Sequence, residues 1–213
     1  MAGEATREGM FPVSRVMAFC DAVFAFAMTL LAVELRLPTA ELVRTHGEAA
    51  AWAQQMPLYI AFVFSFLVTA LFWMSHLETW KHVRRVGPGL LWLCILQMMF
   101  VVLMPFATNA FSSSFVSPSR TAFVLYCCVL TAISLLLWLQ RRCVARDEAG
   151  QHGLSEADAH WFQLSALVPL LVFAASIPLA LVLPSWAGSL LFASIWPLTM
   201  LARRRHVRRF AQA

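Results

Sequence analysis

The chain has 213 residues, 61% of them hydrophobic and only 13% charged, about half the charged share of an ordinary soluble domain. With a mean hydropathy of +0.72, this composition excludes a soluble enzyme, a disordered segment and a disulfide-rich secreted domain. The net charge of +5 does not describe a nucleic-acid surface either, because the basic residues sit between long apolar runs.

The first run, Val16 to Val33, is interrupted only by Asp21 and closed by Glu34 and Arg36. Glu4, Arg7, Glu8 and Arg15 precede it without the layout of a cleaved signal peptide, so it is expected to persist as a spanning helix. A polar segment from Pro38 to Gln55 reads as too charged to cross a membrane. Residues 58–77 then contain no acid, Lys or Arg, and Trp80, Lys81, His82, Arg84 and Arg85 follow as interfacial anchors. Gly87, Pro88 and Gly89 open a third run, and Pro105 to Ser119 reads as a polar Ser/Pro-rich loop. Residues 121–140 form a fourth run ending at Gln140, Arg141 and Arg142, followed by a hydrophilic linker from Arg146 to His160. From Trp161 to Ala202 no acid, Lys or Arg occurs; this is too long for one helix and is broken by a turn signal at Leu183, Pro184, Ser185 and Trp186. Pro169 and Pro178 are expected to kink the helix before that turn.

A bilayer-spanning helix needs roughly 20 apolar residues. The expected fold is therefore an all-α membrane protein, a single transmembrane domain over 1–213, with helices at about 16–37, 58–77, 90–108, 121–140, 161–183 and 186–202. With six spans, the N-terminus, the 78–89 loop, the 141–160 linker and the C-terminus share one side and hold 13 of the 16 Lys and Arg residues. The positive-inside rule places both termini in the cytoplasm.

Asp21 is the only acid inside an expected span, and an ionisable group there is costly enough to suggest a role. At 100° per residue, Ala22, Phe26, Thr29 and Val33 share a stripe of the first helix, with Leu30 beside it, while Asp21 points about 140° away from Phe26. A second stripe of Ala18, Ala22, Ala25, Thr29 and Ala32 would let another helix approach closely. His76 follows Trp73 by three residues on one face of the second helix, where a lone membrane histidine most often serves a structural hydrogen bond. The five cysteines form no CxxC and no Cys/His ligand spacing and read as small buried hydrophobes, so neither a metal nor a cofactor is expected. No catalytic set, phosphate-binding glycine loop or paired intramembrane carboxylates is present in the sequence.

The segment Arg15-Val16-Met17-Ala18-Phe19-Cys20-Asp21 with Thr29 eight positions on resembles the signature of the transmembrane protein 175 family of potassium channels. That signature is Arg, three residues, then Phe-Ser-Asp, followed by a Thr. Trp73-Met74-Ser75-His76, Leu91-Trp92 and Met104-Pro105-Phe106-Ala107-Thr108 are further similarities. The specific motifs lie within residues 15–108, and the rest of the chain resembles the family in hydropathy alone. Cys20 stands where the motif has Ser, Cys94 about where Asn is frequent, and Phe26 where Ile or Leu is usual.

The resemblance implies a six-helix subunit of the bacterial inner membrane that assembles as a homotetramer in the lipid bilayer, with no nucleic-acid partner. Its pore would be lined by the first helix and would pass potassium ions. The apolar constriction would fall on Phe26, Leu30 and Val33, with Thr29 as a polar group beside them. Arg15, Phe19, Cys20, Asp21, Trp73 and His76 would form the motif and helix-packing network, with Arg15, Cys20 and Asp21 contacting His76. A small secondary or proton-coupled transporter using Asp21 and His76 is the alternative, and a purely structural role for those residues is a third reading.

Overall fold

The computed structural model describes residues 11–84, 86–115, 120–148 and 156–182. They form seven helices in chain order: α1 (Val13–Val33), α2 (Ala40–His46), α3 (Glu48–Trp80), α4 (Pro88–Val102), α5 (Met104–Ser113), α6 (Thr121–Glu148) and α7 (Glu156–Val182). Among the described residues, five helical stretches are long and apolar enough to cross a membrane: Val13–Val33, Glu48–Trp80, Pro88–Ser113, Thr121–Arg146 and Trp161–Leu181. The expected helix over 186–202 lies outside the described residues. All-helical architecture follows from bilayer physics, since a helix satisfies every backbone polar group within its own segment.

α1 runs 13–33 rather than the expected 16–37, and helix boundaries depart from the sequence expectations at four further places. The second span begins at Glu48, ten residues before the expected start at 58, because Ala49, Ala50, Ala51 and Ala53 are strong helix formers that offset the surrounding polar residues. Gly47, at φ 82°, makes the turn from α2 into α3 in a conformation that only glycine adopts without strain. Residues 109–113, past the expected end of the third helix at 108, are helical too, in an α5 that continues the third span beyond a break at Leu103. Pro105 has no N–H to complete the ladder there, and the hydroxyls of Thr108, Ser112 and Ser113 bond to carbonyls three or four residues back, so the polar groups of this Ser-rich stretch are satisfied within the helix. The fourth span continues eight residues past 140, to Glu148, and α7 starts at Glu156 rather than 161 and runs through Pro169 and Pro178.

With α6 continuing to Glu148, Arg141 lies inside the helix rather than closing the span. Its side chain is only 5% exposed. Nε donates to Thr79 Oγ1 at 3.0 Å, Nη1 to the Phe162 carbonyl at 2.9 Å and to Ser165 Oγ at 2.5 Å, and Nη2 to the Ser75 carbonyl at 3.2 Å. The guanidinium also lies over the Phe162 ring, 4.8 Å from its centroid. One planar fork thus fastens α6 to both α3 and α7, a geometry that a lysine ammonium cannot reproduce.

α1 packs against α3, α4 and α5, and α6 and α7 form a long pair that joins the bundle through α4 and α5. At one end, Phe11 N–H donates to the Val86 carbonyl at 3.2 Å, tying the segment before α1 to the α3–α4 loop. In the core, Phe111 stacks on Tyr126 at 4.5 Å between centroids and 10° between planes, and Tyr126 shares a 3.0 Å hydrogen bond with Ser65.

Candidate functional site

α1 has two faces. Val16, Cys20, Phe24, Ala27 and Leu31 recur every three or four residues and are all buried, which is the helical period of a face packed on protein. Phe24 tilts against His76, 5.7 Å between ring centroids. The opposite face is left uncovered by the described residues. Phe19, Phe26 and Val33, spaced by seven residues and hence on one line, are 52%, 67% and 73% exposed. Ala18, Ala22, Ala25, Thr29 and Ala32 are exposed beside them, and Leu30 is half-buried. Thr29 bends its hydroxyl back to donate to the Phe26 carbonyl at 2.8 Å, leaving the oxygen lone pairs on the uncovered side.

Polar contacts hold α1 near its middle and beyond its C-terminal end. Trp73 Nε1 donates to Asp21 Oδ1 at 2.9 Å, so the acid of the first helix is paired with an indole of the second. Beyond the C-terminal end, Asn109 Nδ2 donates to Glu34 Oε2 at 2.7 Å and the Tyr59 hydroxyl to the Arg36 carbonyl at 2.9 Å.

The expected motif network is therefore split. Asp21 sits on Trp73, not on His76, because the half-exposed carboxylate meets the indole N–H at the edge of the bundle while His76 lies in its centre. Arg15 is exposed near the start of α1, and no hydrogen bond joins its side chain to Asp21 or His76 among the described residues. Phe19 belongs to the uncovered line rather than to the packing network. Cys20 does meet His76: the sulfurs of Cys20 and Cys94 and a ring nitrogen of His76 all lie within 4.8 Å of one another, all three residues buried. The sequence shows no Cys/His ligand spacing, whereas the fold gathers these three side chains. The three residues come from three helices, so no spacing along the chain could reveal the group.

The partners of His76 lie outside the sequence motifs. Its Nδ1 lies 3.2 Å from Gln97 Oε1, Gln140 Nε2 donates to that same oxygen at 2.9 Å, and Trp80 Nε1 donates to Gln140 Oε1 at 3.3 Å. The available signal was an uncharged amide inside each of two apolar runs, which a scan for charges does not register.

Several comparisons with known proteins complete the description of the site. Residues 15–105 match the family described as endosomal/lysosomal potassium channel TMEM175. A potassium channel of Streptomyces collinus is 35% identical over 127 residues, which are 57% of this chain and 59% of that protein. This match spans less than two thirds of the Streptomyces protein. A potassium channel of Chamaesiphon minutus is 30% identical over 149 residues, 68% of this chain and 73% of that protein. The crystal structure of a lysosomal potassium-selective channel TMEM175 homolog from Chamaesiphon minutus shares the fold, with a TM-score of 0.76 at 22% identity over 91% of this chain and 97% of that one.

Proposed function

The chain belongs to the TMEM175 family, a family of ion channels rather than enzymes, and from that premise we propose that it forms a potassium-permeable pore in a bacterial inner membrane. Four copies assemble around an axis lined by α1, with both termini in the cytoplasm, and conduction is passive. The observation that carries this reading is the uncovered face of α1: Phe19, Phe26 and Val33 stand in line and exposed, interleaved with small residues that allow neighbouring copies to approach.

In this arrangement Phe26, Leu30 and Val33 from four copies stack as an apolar constriction. A narrow apolar ring expels water, and an ion stripped of hydration meets no compensating ligand, so the closed pore is a dewetted gate. Tilt or rotation of α1 widens the ring until a partly hydrated cation passes. The Thr29 oxygen, whose proton is already committed to the Phe26 carbonyl, presents lone pairs that replace part of a cation's hydration shell next to the constriction. No acid lies on the Phe26 stripe, so selectivity comes from pore width and the Thr29 oxygens rather than from a charged ring.

The test is cation flux from liposomes holding the purified protein, with potassium and sodium compared under equal gradients. Non-saturating flux, faster for potassium, is the expected result; saturable, gradient-coupled uptake overturns it in favour of a carrier. A relay between Asp21 and His76 in such a carrier finds no support in the contacts, since Asp21 is bonded to Trp73 and His76 faces Gln97.

A further inference from the structure

The buried group on the packed face of α1 has the composition of a metal site. Cys20 on α1, His76 on α3 and Cys94 on α4 bring two sulfurs and an imidazole nitrogen within 4.8 Å of one another, and the two sulfurs are 2.9 Å apart. Thiolate and imidazole together suit zinc and its softer relatives.

The surrounding hydrogen bonds set which imidazole nitrogen is available. An indole N–H can only donate, so Trp80 fixes the oxygen of Gln140 towards itself and turns the Gln140 amide NH2 towards Gln97. Gln97 must answer with its oxygen, and that same oxygen faces His76 Nδ1. Nδ1 of the neutral ring therefore carries the proton, leaving Nε2 with a bare lone pair. Nε2 is fully buried, and on the cysteine side the ring faces the Cys20 thiol. An imidazole whose outer nitrogen donates to an oxygen while the other is left bare is the arrangement that metal-binding histidines use.

We propose that Cys20, Cys94 and His76 Nε2 bind a divalent d10 metal ion of the zinc class. On binding, both S–H bonds break, two metal–sulfur bonds and one metal–nitrogen bond form, and two protons leave to solvent. Two thiolates neutralise the dication, so the filled site carries no net charge, which suits the interior of a membrane bundle. With metal–sulfur bonds of about 2.3 Å in tetrahedral geometry, the sulfurs separate by about 1 Å from their present spacing, a change within reach of side-chain rotation. Cys20 lies seven residues into α1, Cys94 six into α4, and His76 four before the end of α3. The site is thus roughly 6–10 Å from one end of the bundle. That end carries the segment before α1 and the α3–α4 loop, on the side where the arginine distribution predicts cytoplasm and thiols remain reduced. The ligands lie away from the Phe26 stripe, so the proposal stands independently of ion conduction.

The experiment is titration of the untagged, reduced chain in detergent with Co2+ as the spectroscopic probe, followed by displacement with Zn2+. One Co2+ per chain is expected, with thiolate-to-cobalt charge-transfer absorption, two protons released and a raised melting temperature. C20S and C94N, which restore the residue types of the family signature and so keep the fold, each lose the charge-transfer band and the thermal shift. Gln97→Leu weakens binding about 10–100-fold by freeing the imidazole, and C128S, at an exposed cysteine, changes nothing. The proposal is overturned if the wild-type chain with both thiols reduced takes up no metal. It is equally overturned if C20S keeps the wild-type spectrum, or if chain prepared under reductant holds Cys20 and Cys94 as a disulfide.

Discussion

The two faces of α1 are made from similar residues and have opposite fates. Both are apolar and both carry phenylalanine, yet Phe24 is buried against His76 while Phe26, two positions on, projects from the bundle. Hydrophobicity therefore does not determine which face is packed inside the subunit. Between membrane helices there is little hydrophobic driving force, and shape and polar contacts decide instead. The packed face is the one that meets the polar centre of the bundle, where His76, Gln97 and Gln140 join α3, α4 and α6 through hydrogen bonds. The other face has only small residues and a line of three large ones, which suits a surface completed by other copies of the chain.

Substitutions at matched positions separate the two faces. The largest expected effect is on the packed side: Phe24→Ala removes a fully buried ring and costs about 3–5 kcal/mol of stability, read from denaturation of the purified protein in detergent. A loss as small as that of an exposed residue would break the distinction between the faces. Next comes the contact at the border between them. Trp73→Phe removes the hydrogen bond that the Asp21 carboxylate accepts from α3, and because that carboxylate is partly exposed the cost is about 1 kcal/mol. The same melting experiment measures it, and Trp73→Phe is expected to disturb α1 placement more than any single change at Arg15. The smallest effect on stability is on the uncovered face: Thr29→Val is expected to stay within about 0.5 kcal/mol, while, if the Phe26 line forms the constriction, the potassium-to-sodium flux ratio falls because the lone pairs beside it are gone. An unchanged ratio in intact assemblies would remove Thr29 from the selectivity account.

The helical periodicity of α1 is fully legible in the sequence, because a fixed 100° turn per residue is enough to separate Asp21 from the Phe26 stripe. What the periodicity does not supply is the partner of each residue. Charges mark the expected ends of spans, and that rule fails at Arg141, where one buried guanidinium finds four acceptors on two other helices. It fails again at Glu48, where alanines carry the helix outward past the polar residues. The pairing of Asp21 with Trp73 and of His76 with Gln97 depends on how α1, α3 and α4 rotate against one another, and the short-range pattern holds no record of that. The grouping of Cys20, His76 and Cys94 is hidden for the same reason.

The most direct measurement compares two exposed apolar side chains in the same liposome flux assay: Phe26 on α1, and Leu71 on α3, which is also exposed. If the Phe26 line forms the constriction, Phe26→Ala raises potassium flux about tenfold for every ~1.4 kcal/mol it removes from the barrier, while Leu71→Ala leaves flux unchanged. Equal flux from wild type and Phe26→Ala, with both assembled alike, would contradict the claim that this face of α1 gates the pore.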